Sequence, residues 1–579
     1  MILSFFNLLK RCYTLAVPYG RLRLFSVIIL IFLNGLLQLL GVTSIFPFFA
    51  LAADPERIRN SSVGRWLLHF LPPMSTNHLL AAAGIFSIVM LLIASIGSMV
   101  SEYVRIRYAY SFSQWIRGEL LRSYASRPYS YFLQRNSALL SQRIQDIHSF
   151  TVNVLLPLGE ILTRLVLISM LAATVFYVQP FVAVGALVLL GGFYLLAFLW
   201  IRPRTRKIGQ MIQNHNVGFW KNTNQFLHAI KTVFVHGKTG YFIEKAIQHS
   251  AETTKYQSLI PIYSNGPRYL IEPIAYGGLV GIVVVLALQG KPFSDILPNL
   301  MVMAMAGYRL LPSLQLLFGQ LVAVAANNYT LVQLEEEILE IEQESAGASA
   351  AIAEASGKLP FLHGISLEGV TYRYPESEND VIKELSLMIE KNESIGIAGP
   401  SGSGKSTLVD LILGLHAPSA GIIKVDSAPI TSENISSWRS MIGYVPQDIY
   451  LLDDTIAANI AFGIDTQKID SKALQEAARG AHILDFIRAL PEGFNTVVGE
   501  RGVRLSGGQR QRIGVARALY HAPEVLVLDE ATSALDHDTE KAVMETITLL
   551  KGKLTIIIIA HRLSTLEHCS RVIRLGEKY

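Results

Sequence analysis

Six apolar runs, each long enough to cross a bilayer, fill the first half of this chain and exclude a soluble fold for it. They lie near residues 22–50, 79–104, 153–178, 181–201, 258–289 and 296–325. Connections of about fifty residues join the second run to the third and the fourth to the fifth. Both are basic, with Arg117, Arg122, Arg127, Arg135 and Arg143 in one and Arg202, Arg204, Arg206, Lys207 and Lys221 in the other. The remaining connections within the last four runs are short: Gln179-Pro180, and Gly290 to Asp295. The excess of Arg and Lys places the long connections in the cytosol, with the N-terminal Lys10 and Arg11 beside them. Their amphipathic sequence predicts helices that continue out of the membrane.

Hydrophobic residues make up 51% of the chain and charged residues 16%, as a membrane protein requires. A net charge of +5 is mild for this size and does not suggest a nucleic-acid partner. Cys12 and Cys569 fall in different regions, so no disulfide or metal framework is expected. Leu22 to Ala50 is too long for the apolar core of a cleavable signal.

After the sixth run the helical pattern continues as "LVQLEEEILEIEQE". The expected division is a membrane domain over 1–342, a small-residue linker over 343–357 and a soluble α/β domain over 358–579.

The soluble part carries the chemistry. "GPSGSGKST" (Gly399, Pro400, Ser401, Gly402, Ser403, Gly404, Lys405, Ser406, Thr407) matches the phosphate loop G-x-x-x-x-G-K-[ST]. It follows an apolar strand and opens a helix, so glycine backbone N–H groups and the helix N-terminus converge on phosphate oxygens. Lys405 would reach the β- and γ-phosphates and Ser406 would hold Mg²⁺. "VLVLDE" is an apolar strand ending in Asp529, for the Mg²⁺ shell, and Glu530, to polarise the attacking water. "LSGGQ", Leu505 to Gln509, lies upstream of those acids.

"LSGGQ", the phosphate loop and "LDEATSALD" together resemble the ATP-binding cassette of ABC transporters. The resemblance implies that Ser506, Gly507, Gly508 and Gln509 meet the γ-phosphate of ATP held by another subunit, so two chains form two composite sites. It also implies adenine stacking by Tyr374, a Mg²⁺ ligand and membrane link at Gln447, a γ-phosphate switch at His561 and a coupling acid at Asp536. "TVVGERG" resembles the loop that exporters place before the signature. Six spans with two cytosolic extensions ahead of the cassette resemble a type IV exporter. Segments near Pro128–Asn136 and Lys231–Thr239 would then be coupling helices that dock in the cleft beside Gln447. The fold class expected is an α-helical six-span transmembrane domain followed by an α/β P-loop cassette.

Within the spans, Arg309 in "AGYRLLPSLQ" and Arg268 in "NGPRYLIEP" fall at similar inner-leaflet depth. They could line a basic chamber for phosphate, or pair internally, Arg309 with an acid such as Glu272 and Arg268 by snorkelling. Glu160 and Arg164 are spaced to satisfy each other. Pro267, Pro273 and Pro312 would bend their helices. "SSVGRWLLHFLPP" predicts a short amphipathic helix on the outer side, over 61–71.

"FPFFALAADP", "PRYLIEP" and "YRLLPS" resemble stretches of the bacterial flippases of lipid-linked oligosaccharides. The cargo so implied is a polyprenyl-pyrophosphate glycan, moved across the inner membrane by a homodimer using ATP and Mg²⁺. The alternatives are a multidrug, lipid A or peptide exporter and, in a different class, an ATP-gated channel or regulatory subunit. The absence of a peptidase ahead of the first span argues against a processing peptide exporter, and complete catalytic motifs argue against a channel.

Overall fold

A computed structural model describes residues 2–45, 48, 51, 75–135, 137–178, 180, 184–185, 187–288, 293–345, 359–375, 377–530, 537–560 and 566–576. They form two compact units, residues 1–121 with 138–343, and residues 122–137 with 344–579.

The membrane unit is helical. Its main elements are α1 (Ile2–Thr43), α2 (Thr76–Ser126), α4 (Ser137–Phe150), α5 (Leu156–Val178), α6 (Gly192–His228), α7 (Ile230–Val235), α8 (Thr239–Leu288), α9 (Phe293–Ala326) and α10 (Asn328–Ser345). Between α2 and α4 lies the short α3 (Tyr129–Gln134). Among the described residues four helices are long and apolar enough to cross a membrane, five if α9 and α10 count as one bent span. Helices of 51, 37 and 50 residues (α2, α6, α8) outrun the roughly 30 Å hydrocarbon core at about 1.5 Å per residue. The expected continuation of helices beyond the apolar runs is therefore present.

Tyr194, Phe198 and Ile201 on α6 share one helix face and bury it against Ile271 of α8 and Leu311, Phe318 and Val322 of α9. Prolines 261, 267 and 273 are all accommodated within α8. A bend separates α9 from α10. Leu310–Ala326 and Asn328–Ile338 meet at 53°, with the break at Asn327. There Asn327 Nδ2 donates to Ala323 O at 2.9 Å, a side chain competing for helix backbone. Gly209 of α6 faces the same corner. A Cβ on Gly209 would stand 1.8 Å from Ala326 O, so only glycine admits the approach. The outer segment 61–71 and most of the linker lie outside the described residues.

The cassette has two sheets. One is antiparallel in the order β2 (Ile382–Glu390), β1 (Gly364–Tyr372), β4 (Ala420–Val425), β5 (Ala428–Pro429). The other is parallel, in the order β6 (Ile442–Val445), β7 (Val525–Asp529), β8 (Thr555–Ile559), β3 (Ser394–Ala398), β9 (Arg571–Arg574). Its central strands are buried on both faces, which is why they read as unbroken apolar runs. Alternate residues serve opposite cores: Leu526, Leu528, Ile556 and Ile558 face one, Val525, Val527, Ile557 and Ile559 the other. The helices that carry site residues are α11 (Lys405–Ile412) and α12 (Gly507–Tyr520).

Candidate functional site

The site is built on the carboxyl ends of the parallel strands, where such sheets place their ligands. β3 runs into the phosphate loop, in which Gly402 and Gly404 hold φ of 81° and 90°. Those values are closed to residues with a Cβ except at a cost, and they turn the chain tightly into α11. Space beyond Gly402 is open, with no atom within 4 Å of where a Cβ would stand. Lys405 is buried, and its Nζ donates to Gly399 O at 2.8 Å and Pro400 O at 3.0 Å. The ammonium is thus tucked under the loop that it would leave for phosphate oxygens. Ser403 Oγ is buried with no hydrogen-bond partner among the described residues. Together these make an anion cradle with donors in reserve.

Gln447 follows β6 and Glu530 follows β7. The parallel register pairs Val445 with Leu528, so each side chain lies two residues beyond a matched pair. Gln447 Nε2 accordingly donates to Glu530 Oε2 at 2.6 Å. Glu530 adopts a φ of 50°, a strained value for glutamate, and its N–H is held by Ile559 O at 3.0 Å. Its neighbour Asp529 is raised above the usual carboxylate range, by burial first and by the charge of Glu530 next. Hydrogen bonding from Tyr444 and the Lys405 ammonium oppose that rise. Two adjacent acids, one of them partly buried, form a site whose charge a divalent cation would balance. With Ser406 at the start of α11, the donor set suits Mg²⁺, which favours oxygen ligands.

The sequence gives Tyr374 one task and the structure adds others. Its hydroxyl bonds Thr407 Oγ1 at 3.0 Å, and its ring meets Tyr372 and His416 edge to face, at 5.1 and 5.7 Å. The signature also has a local role. Ser506 caps α12, accepting from Gln509 N–H at 3.2 Å, while Gln509 Oε1 accepts from Ser506 N–H at 2.8 Å. This reciprocal capping box leaves Gly507 and Gly508 at the helix N-terminus, in the first turn, where backbone N–H groups are free to bind an anion. His561 and Asp536 lie outside the described residues, as does the Arg309 side chain.

Three neighbours of the site went unread in the sequence. Tyr444 bonds Asp529. Asp410 on α11 is pushed up to about 6, by burial and then by Asp529. Tyr129 of α3 lies 5.7 Å from His416. The only sequence signal was position: Asp410 and Tyr444 each sit within six residues of a motif. The segment expected near Pro128–Asn136 as a coupling helix thus folds with the cassette unit. The second one, around α7, belongs to the membrane unit.

In that unit Arg268 Nε donates to Glu272 Oε1 at 2.5 Å, one turn away. Glu272 thus has a partner in Arg268, one turn away on the same helix. Glu160 and Arg164 pair as expected, at 2.6 Å. The buried Arg105 joins them unforeseen, 2.7 Å from Glu160, while also pairing with Glu102.

A model of the ABC transporter family matches residues 382–533. An ATP-dependent lipid A-core flippase of Methylococcus capsulatus is 32% identical over 403 residues, 69% of this chain and 65% of that protein. Its namesake in Alkalilimnicola ehrlichii is 42% identical over 239 residues, 41% of this chain and 39% of that protein. The matches thus span from about two fifths to just under two thirds of these relatives' length. A solved bacterial Atm1-family ABC exporter with ATP bound superposes with a TM-score of 0.68 at 22% identity, covering 96% of this chain and 94% of that one.

Proposed function

The chain belongs with the ABC transporters that fuse a helical membrane domain to their cassette, and from that premise we propose that it is an ATP-hydrolysing flippase for an anionic glycolipid. The observation that carries the ATPase part is the convergence of the phosphate loop, Asp529 and the Gln447–Glu530 pair on one sheet edge.

Glycine backbone and Lys405 hold the phosphates, and Tyr374 offers an aromatic face to adenine. Asp529, Ser406 and Gln447 hold Mg²⁺, which when bound neutralises phosphate charge. Glu530 accepts a proton from the attacking water once Gln447 has released its carboxylate. Ser506, Gly507 and Gly508 supply the second anion site, so two copies complete two sites. His561 and Asp536 act at the same edge, by resemblance. Six spans per chain, an inner-membrane location and a cytosolic cassette belong to the same reading. The folding of α3 with the cassette supports its role as a coupling element, and α7 would serve likewise.

For cargo, the names of the relatives support lipid A-core, a phosphorylated glycolipid. The stretches "PRYLIEP" and "YRLLPS" support the second reading, a polyprenyl-pyrophosphate glycan. Both present phosphate to Arg309. The test is reconstitution of the full chain in vesicles with each fluorescent lipid in turn. Flipping of one of them that needs ATP and vanishes in Glu530→Gln supports the proposal; ATP-dependent ionic current without coupled hydrolysis would sink it in favour of a channel.

A further inference from the structure

His416 follows α11 and has no part in the reading above, yet groups from three elements close around it. The residue is buried. Its ring lies 4.9 Å from Tyr372, 5.7 Å from Tyr374 and 5.7 Å from Tyr129 on α3. Its Nε2 has no hydrogen-bond partner among the described residues, and the Asp410 carboxylate stands 4.0 Å away. A cavity of about 810 Å³ opens beside it, lined by Tyr129, Phe132, Leu415, Ile435 and Arg439 among others.

A buried ring nitrogen without a partner is costly, and a leucine would fill the same space without that cost. What leucine lacks is a flat ring that can meet three tyrosines at once. Tyr374 and Tyr129 are both held to that ring, so a displacement of one is felt by the other through a single rigid side chain. We propose that His416 is a positioning residue that ties Tyr374 to Tyr129, so that nucleotide occupancy sets the placement of α3. The inference rests on the reading of Tyr374 as the adenine-contacting aromatic. Through it, a signal leaves the nucleotide along the aromatic stack as well as along the Gln447 loop.

The test uses the full chain in vesicles with Cys12 and Cys569 replaced by serine. A spin label is placed at Leu133, an exposed position of α3. Its mobility and the kinetics of ATP hydrolysis are followed with and without MgATP. In His416→Leu the response of the label to MgATP is expected to disappear. KM for ATP should rise roughly two- to tenfold, the effect of losing one aromatic pair, with kcat much less changed. His416→Phe restores the ring and should restore both readouts. Tyr129→Leu should abolish the label response alone, and it serves if His416→Leu fails to fold. A wild-type response in the folded leucine variants, or failure of His416→Phe to rescue, overturns the proposal. Tyr374→Ala separates the two possible failures. An unchanged KM there sinks the adenine reading itself. A raised KM there, with wild-type behaviour in His416→Leu, sinks the relay alone.

Discussion

Gln447 Nε2 and Glu530 Oε2 are joined at 2.6 Å, although 83 residues separate them in the chain. The pair ties up the carboxylate proposed to polarise water until something competes for the glutamine. Glu530→Gln is expected to lower kcat by roughly 10²–10⁴, the usual weight of a general base, while ATP still binds. Gln447→Ala breaks this hydrogen bond and removes a proposed Mg²⁺ ligand, so a smaller loss of kcat with a rise in the Mg²⁺ requirement should follow. Steady-state hydrolysis against Mg²⁺ concentration reads both.

The capping box separates the two roles of the signature. Gln509→Ala loses the bond to Ser506 N–H and should destabilise the cassette by about 0.5–2 kcal/mol. Gln509→Glu keeps the acceptor for Ser506 N–H and should keep the wild-type melting temperature. Ser506→Ala loses the cap and the proposed anion contact together, so both the melting temperature and kcat should fall. Thermal unfolding beside ATPase assays distinguishes the three.

Asp410 predicts a pH effect of definite sign. Its carboxyl is raised from 3.8 to about 6 by burial, so between those values the folded state holds more protons than the unfolded. Stability therefore falls as pH rises through that window. Asp410→Asn should raise stability at pH 7 by at most roughly 3 kcal/mol, and the gain should shrink below pH 6. His416 slopes the other way, because burial lowers it from 6.5 and the unfolded state takes up its proton first. Its contribution is lost as pH falls below about 6.5. The groups facing it are Asp410, Tyr129, Tyr372, Tyr374 and, across the cavity, Arg439. In Asp410→Asn the fall of stability with rising pH should weaken, the raised Asp529 still contributing to it against the opposite slope of His416. Melting of the nucleotide-free chain in EDTA, from pH 5 to 8, checks it.

Gly209 lets α6 touch the carbonyl at the bend after Ala326. Gly209→Ala must push the two helices apart, at a cost of about 1–3 kcal/mol, and Gly209→Val more. A melting temperature unmoved by either variant would contradict the close approach.

Arg268 already has a carboxylate partner in Glu272. Arg268→Ala is therefore expected to weaken cargo-stimulated hydrolysis less than Arg309→Ala does. Equal loss from both would mean that cargo draws Arg268 away from Glu272, and Glu272→Gln should then raise cargo affinity.

Legibility followed the range of the interaction. The phosphate loop, the acid-ended strand and the signature were readable because each is a contiguous pattern whose geometry is local. The long basic connections were readable as helices for the same reason. The break at Asn327 was not readable, because it coincides with a packing contact from Gly209 that no local cue marks. Arg105 was missed because nothing near it in sequence marks Glu160 as its partner.

By itself, then, the sequence determined that an apolar helical half precedes an α/β half that carries a phosphate loop, and it offered Lys405, Gln447, Asp529 and Glu530 as groups of one site. Only the tertiary structure decided which of those groups meet. The order β6-β7-β8-β3 sets Gln447 against Glu530, and the folding of residues 122–137 with the cassette sets Tyr129 against His416. The physical reason is that strand register and helix docking depend on burial summed over whole elements, which no single stretch of residues contains.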